Sequence, residues 1–394
     1  MQGFDEFVGV KLEKADFVSR VLTDLVRHTG YQQIAIPVVE RASSFSEEVV
    51  GESPWPGFSE EGCFHFEIKD YGKSYDDVVA THRVLLVPEG TTSITRWLGN
   101  ALDHRGVELP LRVFYYLKCF RNELISSLSD VKRREFAQFG TEIMGDDSIM
   151  SEVETIRIII LALESFGITR DTVHVRFNDI SVFNMLVEES GLEDRRVPIK
   201  EQLDSLAGVK AGKRPERYDQ IIATLDHELA HLSDELREKW DAIIFQRDYS
   251  VESAARVFGD AYEEHFRNLV SIREAFALCD IQIDLDLCVI RSHQYYTSMS
   301  FEVDVIGAHG KYAEIAGGGR YDRLVSSFIC DESTTEIVPC VGFAFGMERF
   351  IELLDSEGAF DRPVTVTSRF DFTDDVRNTS SDSIMETVRK ALSL

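Results

Sequence analysis

The sequence predicts an α+β protein, an antiparallel sheet flanked by helices. Strand-like runs recur in both halves of the chain, among them "FHFEIKD", "EFAQFGTEI", "SMSFEVDVIG" and "VGFAF". Apolar residues at helical spacing mark the helices between them. From about 179 to 275, charged helical segments prevail and strand signals are few.

The first element is an amphipathic helix in "KLEKADFVSRVLTDLVRHTG". Phe17, Val21 and Leu25 stand at i, i+4 and i+8, with Val18 and Leu22 beside them, and Gly30 stops the helix. "YQQIAIPVVE" follows as a strand. Pro37 near its end suits an edge or interface position, because proline cannot donate to a ladder. "FHFEIKD" is a further strand, and "HRVLLVPEGTTSITRWLG" runs as strand, turn and helix. "MSEVETIRIIILALESFG" is a helix and "TVHVRFND" a strand. The helical region contains "RYDQIIATLDHELAHLSDELREKW" and "YEEHFRNLVSIREAFAL". Strand character returns in "IQIDLDLCVI", "SMSFEVDVIG" and "KYAEIAGGGRYD". "VGFAFGMERFIELL" begins as a strand and ends as a helix, and a polar tail with one strand-like run, "VTVTSRFDF", comes last.

The 394 residues are ample for a buried core and allow one large or two to three ordinary domains. With 42 basic against 69 acidic side chains the net charge is −27, which excludes a surface that binds nucleic acid as a whole. Two local basic patches remain, "VKRR" (131–134) and "VKAGKRPERYD" (209–219), and both read as solvated loops. The six cysteines, Cys63, Cys119, Cys279, Cys288, Cys330 and Cys340, form no CxxC pair and read as reduced thiols. The N-terminal residues carry no apolar core of a signal peptide, and no run of eighteen apolar residues occurs. A soluble, cytoplasmic protein with no membrane association is expected.

One stretch, "RNELISSLSDVKRREFAQFGTEIMG" (121–145), places two strands around a Ser-rich loop, with Arg121 and Arg134 at the inner ends. Residues at i, i+2 and i+4 of a strand share a face, so Phe136, Gln138, Gly140 and Glu142 present a ring, an amide and a carboxylate together. Such a pair can cradle a polyanion beside a polar small molecule; by itself it also fits an ordinary hairpin with a charged loop. "HELAH" (His227, Glu228, His231) matches a zinc-hydrolase pattern, but no third ligand stands out, and it reads as plain helix surface without a bound metal. No GxxxxGK[ST] or helix-opening GxGxxG is present, and "AGGGRYD" (316–322) alone reads as a tight strand connection.

Taken in order, "VPEGT" (87–91), "FRNE" (120–123), "REFAQFGTE" (134–142), "RSHQYYT" (291–297), "AGGGRYD" and "GFAFGMERF" (342–350) resemble histidyl-tRNA synthetase, with "GFDEF", "GYQQIAIPVVE" and "VVGES" adding to the likeness. The resemblance implies a class II aminoacyl-tRNA synthetase-like catalytic core in two parts, 1–178 and 276–358, a helical insertion at 179–275, and a tail at 359–394 in place of an anticodon-binding domain. It implies a homodimer, with the first helix and Pro37 at its interface. It implies ATP and Mg²⁺ as cofactors.

Residue by residue, Arg121 resembles the arginine that holds the α-phosphate of ATP. Glu123 and Phe136 resemble the adenine-side contacts, Arg134 joins the ATP-binding set, and Arg349 resembles the arginine covering the nucleotide from the other face. Glu89, Thr91 and Gln138 match positions that hold the amino acid's ammonium group. Glu142 and Tyr296 match those that bond a histidine side chain, and Tyr321 matches a tyrosine of the pocket wall. Arg291 matches the arginine that neutralises the reacting carboxylate and α-phosphate. Arg121 and Arg291 are thus the candidate catalytic residues.

The sequence departs from the family in three places. Val87 stands where an arginine is usual, "LISSLSDVKR" lacks the Arg-Pro-Gln run that approaches the tRNA acceptor end, and Ser292, His293 and Gln294 replace a Gly-Leu-Asp triplet. With the −27 charge these disfavour tRNA as acceptor. The expected function is ATP-dependent activation of histidine or a similar amino acid, with transfer to an acceptor other than tRNA. The alternatives are the regulatory subunit of ATP phosphoribosyltransferase, partnered by a short catalytic subunit, and a histidyl-tRNA synthetase without its anticodon domain.

Overall fold

The computed structural model describes residues 1–51, 61–103, 106–129, 131–245, 251–291, 295–307, 312–329 and 337–361. The strands are β1 (Gln32–Gln33), β2 (Val39–Arg41), β3 (His65–Tyr71), β4 (Val78–Leu86), β5 (Leu111–Phe120), β6 (Glu135–Met144), β7 (Val173–Asp179), β8 (Asp284–Leu285), β9 (Met299–Ile306), β10 (Tyr312–Arg320) and β11 (Cys340–Gly346). The helices are α1 (Val10–His28), α2 (Glu47–Val50), α3 (Thr91–Asp103), α4 (Ile149–Ser165), α5 (Ile180–Glu189), α6 (Arg196–Lys210), α7 (Tyr218–Glu228), α8 (Asp234–Phe245), α9 (Val251–Phe258), α10 (Glu263–Leu278) and α11 (Met347–Ser356).

An eight-stranded sheet in the order β1-β5-β6-β11-β10-β9-β7-β8 forms the platform. Every pairing from β5 to β7 is antiparallel; only the two-residue edge strands, β1 on β5 and β8 on β7, run parallel. A separate sheet, β2-β4-β3, is antiparallel throughout. The expected α+β class with an antiparallel sheet is what the chain adopts.

Helix α4 is apolar on nearly every side, as "IIILAL" suggests, and such a helix must be enclosed. It lies against β6, β10 and β11, with α1 and α10 on its far sides. Helix α1 buries Val18, Val21, Leu22, Leu25 and Val26, the stripe read from the sequence, and packs on α4 and α11 of its own chain. That stripe is therefore covered within the chain, while Val10 and Leu12 at the start of the helix stay exposed. Between β7 and β8 the described residues form the helices α5 through α10.

Three local expectations are corrected. "YQQIAIPVVE" is not one strand: β1 joins the large sheet and β2 the small one, with Pro37 in the crossing between them. Proline's missing N–H suits that break. "IQIDLDLCVI" yields only Asp284–Leu285 as strand, and Asp286 directly after it turns its carboxylate to the buried Arg176 at 3.1 Å. The glycines of "AGGGRYD" are no tight connection but the interior of β10, paired on both sides. The tail run "VTVTSRFDF", Cys330 and the triplet 292–294 lie outside the described residues. None of the described cysteines is disulfide-bonded, and no described helix is long and apolar enough to cross a membrane.

Arg320, at the end of β10, is buried and donates from Nε to Glu152 Oε1 of α4 at 2.8 Å. A second nitrogen donates to Ser151 Oγ at 2.8 Å, so this one side chain fastens the helix to the sheet. Removing one member of a buried ion pair strands the other, at a cost of about 3–5 kcal/mol. Arg320→Ala should lose stability on that scale in urea titration, and Arg320→Ala with Glu152→Ala should lose much less than the sum of the two single changes.

Candidate active site

The hairpin β5–β6 is closed at its inner end by the backbone, Arg121 N–H donating to the carbonyl of Arg134 at 2.9 Å. Alternation along β6 then places Gln138 and Glu142 toward the β4–α3 connection. Gln138 Oε1 accepts from Gly90 N–H at 3.1 Å, and Glu142 Oε1 accepts from the Thr91 hydroxyl at 2.8 Å. The Tyr321 hydroxyl donates to the other oxygen of Glu142. Glu89 accepts from the first backbone donors of α3, Thr91 N–H at 2.7 Å and Thr92 N–H at 2.9 Å, where a carboxylate is favoured by the unpaired N–H groups. Glu89, Thr91, Glu142 and Tyr321 are thus linked in one polar group, and Gln138 joins it through the Gly90 backbone. Tyr296 is buried nearby, its ring 4.8 Å from that of Tyr295.

In front of this group opens a cavity of about 820 Å³, lined by Arg121, Glu123, Phe136, Gln138, Arg291 and Arg349 among others. The Arg121 guanidinium lies 5.0 Å from the centre of the Phe136 ring and donates to the Pro88 carbonyl at 3.1 Å. Burial pulls Arg121 below the ordinary guanidinium value.

Arg291 donates to Glu302 Oε1 at 3.1 Å, and Glu302 accepts from Arg176 on its other oxygen at 2.8 Å. Arg291 Nε is buried and finds no acceptor among the described residues. Two glycines make the close packing possible. A Cβ on Gly317 would stand 2.3 Å from an Arg291 nitrogen, and one on Gly342 would stand 1.6 Å from a Glu142 oxygen. Only glycine fits at these points.

Two expected residues stand differently. Arg134 donates to the Glu123 carbonyl at 3.0 Å and does not line the cavity; its neighbours Lys132 and Arg133 do. Glu123 lines the cavity, but its carboxylate faces Lys132 Nζ at 3.0 Å. In "HELAH", helix α7 ends at Glu228, so the two histidines do not share a helical face. Glu228 pairs with Arg195, and no metal-holding group of three His, Cys, Asp or Glu occurs among the described residues.

Sequence reading missed Glu302, Glu314 and Asp204, which line the cavity, and Arg176 behind them. The available signal was a charge inside a strand run, Glu302 in "SMSFEVDVIG" and Glu314 in "KYAEIAGGG". Such a charge, enclosed on a central strand, demands a cationic partner.

Burial, only partly offset by the hydroxyl donors of Tyr321 and Thr91, pushes Glu142 up to about 8. A carboxyl whose folded value exceeds its unfolded value, about 4.3, stabilises the fold below the unfolded value, and that contribution is lost as pH rises through the folded one. Glu302 is raised in the same direction, to about 7, so the wild type alone does not isolate Glu142. Thermal midpoints should fall from pH 5 to pH 8.5, and the fall should be clearly shallower in Glu142→Gln. Equal slopes would assign the loss to other groups.

A family model described as histidyl-tRNA synthetase matches residues 3–350. The histidine–tRNA ligase of Sulfolobus acidocaldarius is 27% identical over 350 residues, covering 89% of this chain and 73% of that protein. That of Saccharolobus solfataricus is 24% identical over 373 residues, covering 93% and 78%. Among solved structures, a histidine–tRNA ligase subunit from Alicyclobacillus acidocaldarius superposes with a TM-score of 0.68 at 20% identity, over 90% of this chain and 97% of that one. An ATP phosphoribosyltransferase regulatory subunit/histidyl-tRNA synthetase from Bacillus halodurans gives 0.67 at 20% identity, over 90% and 82%. These two share the fold. The family match spans both strands of the arginine-ended hairpin and both cavity glycines, and on that match the chain belongs to the histidyl-tRNA synthetase family.

Proposed function

We propose that the chain activates histidine, or an amino acid with a similar polar side chain, as an aminoacyl-adenylate at the expense of ATP. The observation that carries this is the convergence of Arg121, Arg291 and Arg349 on one cavity that also holds Phe136 and Gln138. Phe136 offers a flat apolar face for a base. Gln138, Glu89 and Thr91 offer oxygen acceptors for an ammonium group, and Glu142 with Tyr296 and Tyr321 a polar end for the side chain. When the amino-acid carboxylate attacks the α-phosphorus, two anions meet and charge grows on the phosphate oxygens. Preorganised guanidinium groups stabilise that charge more than the ground state. The carboxylates that face the phosphate end are engaged by arginines and lysine, not arranged as a metal cage. Mg²⁺ therefore fits as an ion carried on the outer phosphates of ATP, whose charge it would neutralise.

We take the acceptor to be something other than tRNA. The β5–β6 loop has its cations already engaged, Lys132 by Glu123 and Arg133 by Asp5. A second copy of the chain is the partner we expect, covering the apolar side chains Phe66, Ile68, Tyr71 and Val78 that the β3–β4 hairpin leaves exposed.

Pyrophosphate exchange tests the reading. Histidine-dependent exchange is expected in the wild type, and Arg291→Ala should reduce it by about a hundredfold or more, the scale of losing one preorganised donor. Histidine affinity should change far less, because Glu89, Gln138 and Glu142 remain. A wild type that binds histidine but exchanges no pyrophosphate would instead be a sensing subunit, such as the regulatory partner of a short ATP phosphoribosyltransferase. In sedimentation the chain should run as a dimer at micromolar concentration, and Ile68→Asp should shift it to monomer.

A further inference from the structure

One wall of the cavity has no part in the reading above. After α6 the chain turns through Lys213, Arg214 and Arg217, and all three line the same cavity as Arg121, Arg291 and Arg349. The turn holds Gly212 at φ 100° and Arg214 at φ 52°. The second is a conformation that a side-chain-bearing residue seldom takes.

Lys213 is tied into the centre. Its Nζ lies 3.3 Å from Glu314 Oε2. The same oxygen is 3.4 Å from an Arg349 nitrogen, and the other oxygen is 3.9 Å from an Arg291 nitrogen. One carboxylate therefore gathers cations from the turn, from α11 and from the segment before β9. Burial alone would raise the Glu314 carboxyl, yet Arg349, Lys213 and Arg291 hold it well below the usual carboxylate range. Asp204 and Glu302 share this lining, yet its eight arginines and lysines outnumber its six carboxylates, and Arg217 and Arg214 form no ion pair among the described residues. This is the electrostatic setting for a second, multiply charged anion.

We propose that the turn after α6 supplies the subsite for the outer phosphates of the nucleoside triphosphate. Lys213 and Arg217 are its ligands, and Glu314 is an internal carboxylate that keeps Lys213, Arg291 and Arg349 gathered before the nucleotide binds. The inference rests on the adenylation reading and deepens it. As the amino-acid carboxylate oxygen bonds to the α-phosphorus, the bond from that phosphorus to the bridging oxygen breaks. Its electron pair leaves with pyrophosphate, and the charge so gained develops beside Lys213 and Arg217. The helical segment between β7 and β8 thus holds the leaving group, while the sheet holds the two reacting centres.

Calorimetric titration of the full chain with ATP, pyrophosphate and AMP tests this, because AMP lacks the outer phosphates. Lys213→Ala with Arg217→Ala should weaken ATP and pyrophosphate by about tenfold or more, the scale of losing charge-assisted contacts, and leave AMP within about twofold. Lys213→Arg in the Arg217 wild-type background should keep most of the affinity. Arg217→Ala alone, which breaks no ion pair among the described residues, should weaken pyrophosphate about threefold with unchanged thermal unfolding. That keeps the test valid if the double variant is unstable. Unchanged ATP and pyrophosphate binding in the variants would overturn the subsite and leave the adenylation reading standing. Equal losses for AMP and ATP would also overturn it, by placing these residues away from the outer phosphates. A wild type that binds neither ATP nor AMP would overturn the adenylation reading, and the subsite with it.

Discussion

A glutamate held between two arginines is the contact on which the site is built. Glu302 takes Arg176 on one oxygen and Arg291 on the other, at 2.8 and 3.1 Å. A guanidinium cannot be buried without counter-charge, yet a fully matched partner would leave it nothing to offer a ligand. Sharing Glu302 resolves this. Arg176 is further matched by Asp304 at 2.8 Å, Asp286 at 3.1 Å and the Ala207 carbonyl at 3.1 Å, while Arg291 keeps one nitrogen without an acceptor among the described residues. The same ladder binds β7, β9, the segment before β9 and helix α6, so the geometry of Arg291 depends on the fold around it. Loosening any member would reach Arg291 within two contacts.

The antiparallel sheet supplies what a small-molecule site needs at low flexibility. Side chains on β6 are fixed by ladder pairing on both edges, to β5 and to β11. The start of α3 adds backbone donors that lock Glu89. Rigid strands set the polar end of the pocket, and only the rim is made of turns. A site positioned on such elements keeps its geometry without a ligand, which electrostatic stabilisation of a transition state requires.

Much of this was legible in the sequence because it is periodic. The alternation of Phe136, Gln138 and Glu142 and the stripe from Val18 to Leu25 are local properties, and both appear as read. Edge strands β1, β2 and β8 were not legible, since two or three residues carry no period and their strand state is set by a distant neighbour. Nor did sequence show that Glu302 and Glu314 face inward. A charged residue in an alternating run ordinarily marks the solvent side, and only pairing with Arg176, Arg291 and Arg349 reverses that. Nor did the sequence show that Arg134 turns to the Glu123 carbonyl while Lys132 and Arg133 line the cavity.

On β10, Gly317 brings main chain to the cavity with Arg291 pressed on it, and a Tyr296 ring carbon lies 2.8 Å from where a Cβ of Gly319 would stand. Glycine at these points leaves no side chain to exchange. Adaptation of the cavity to a different ligand is therefore closed at those glycines. New selectivity has to come from side chains that line it, Gln138 at one end and Lys213, Arg214 and Arg217 at the other.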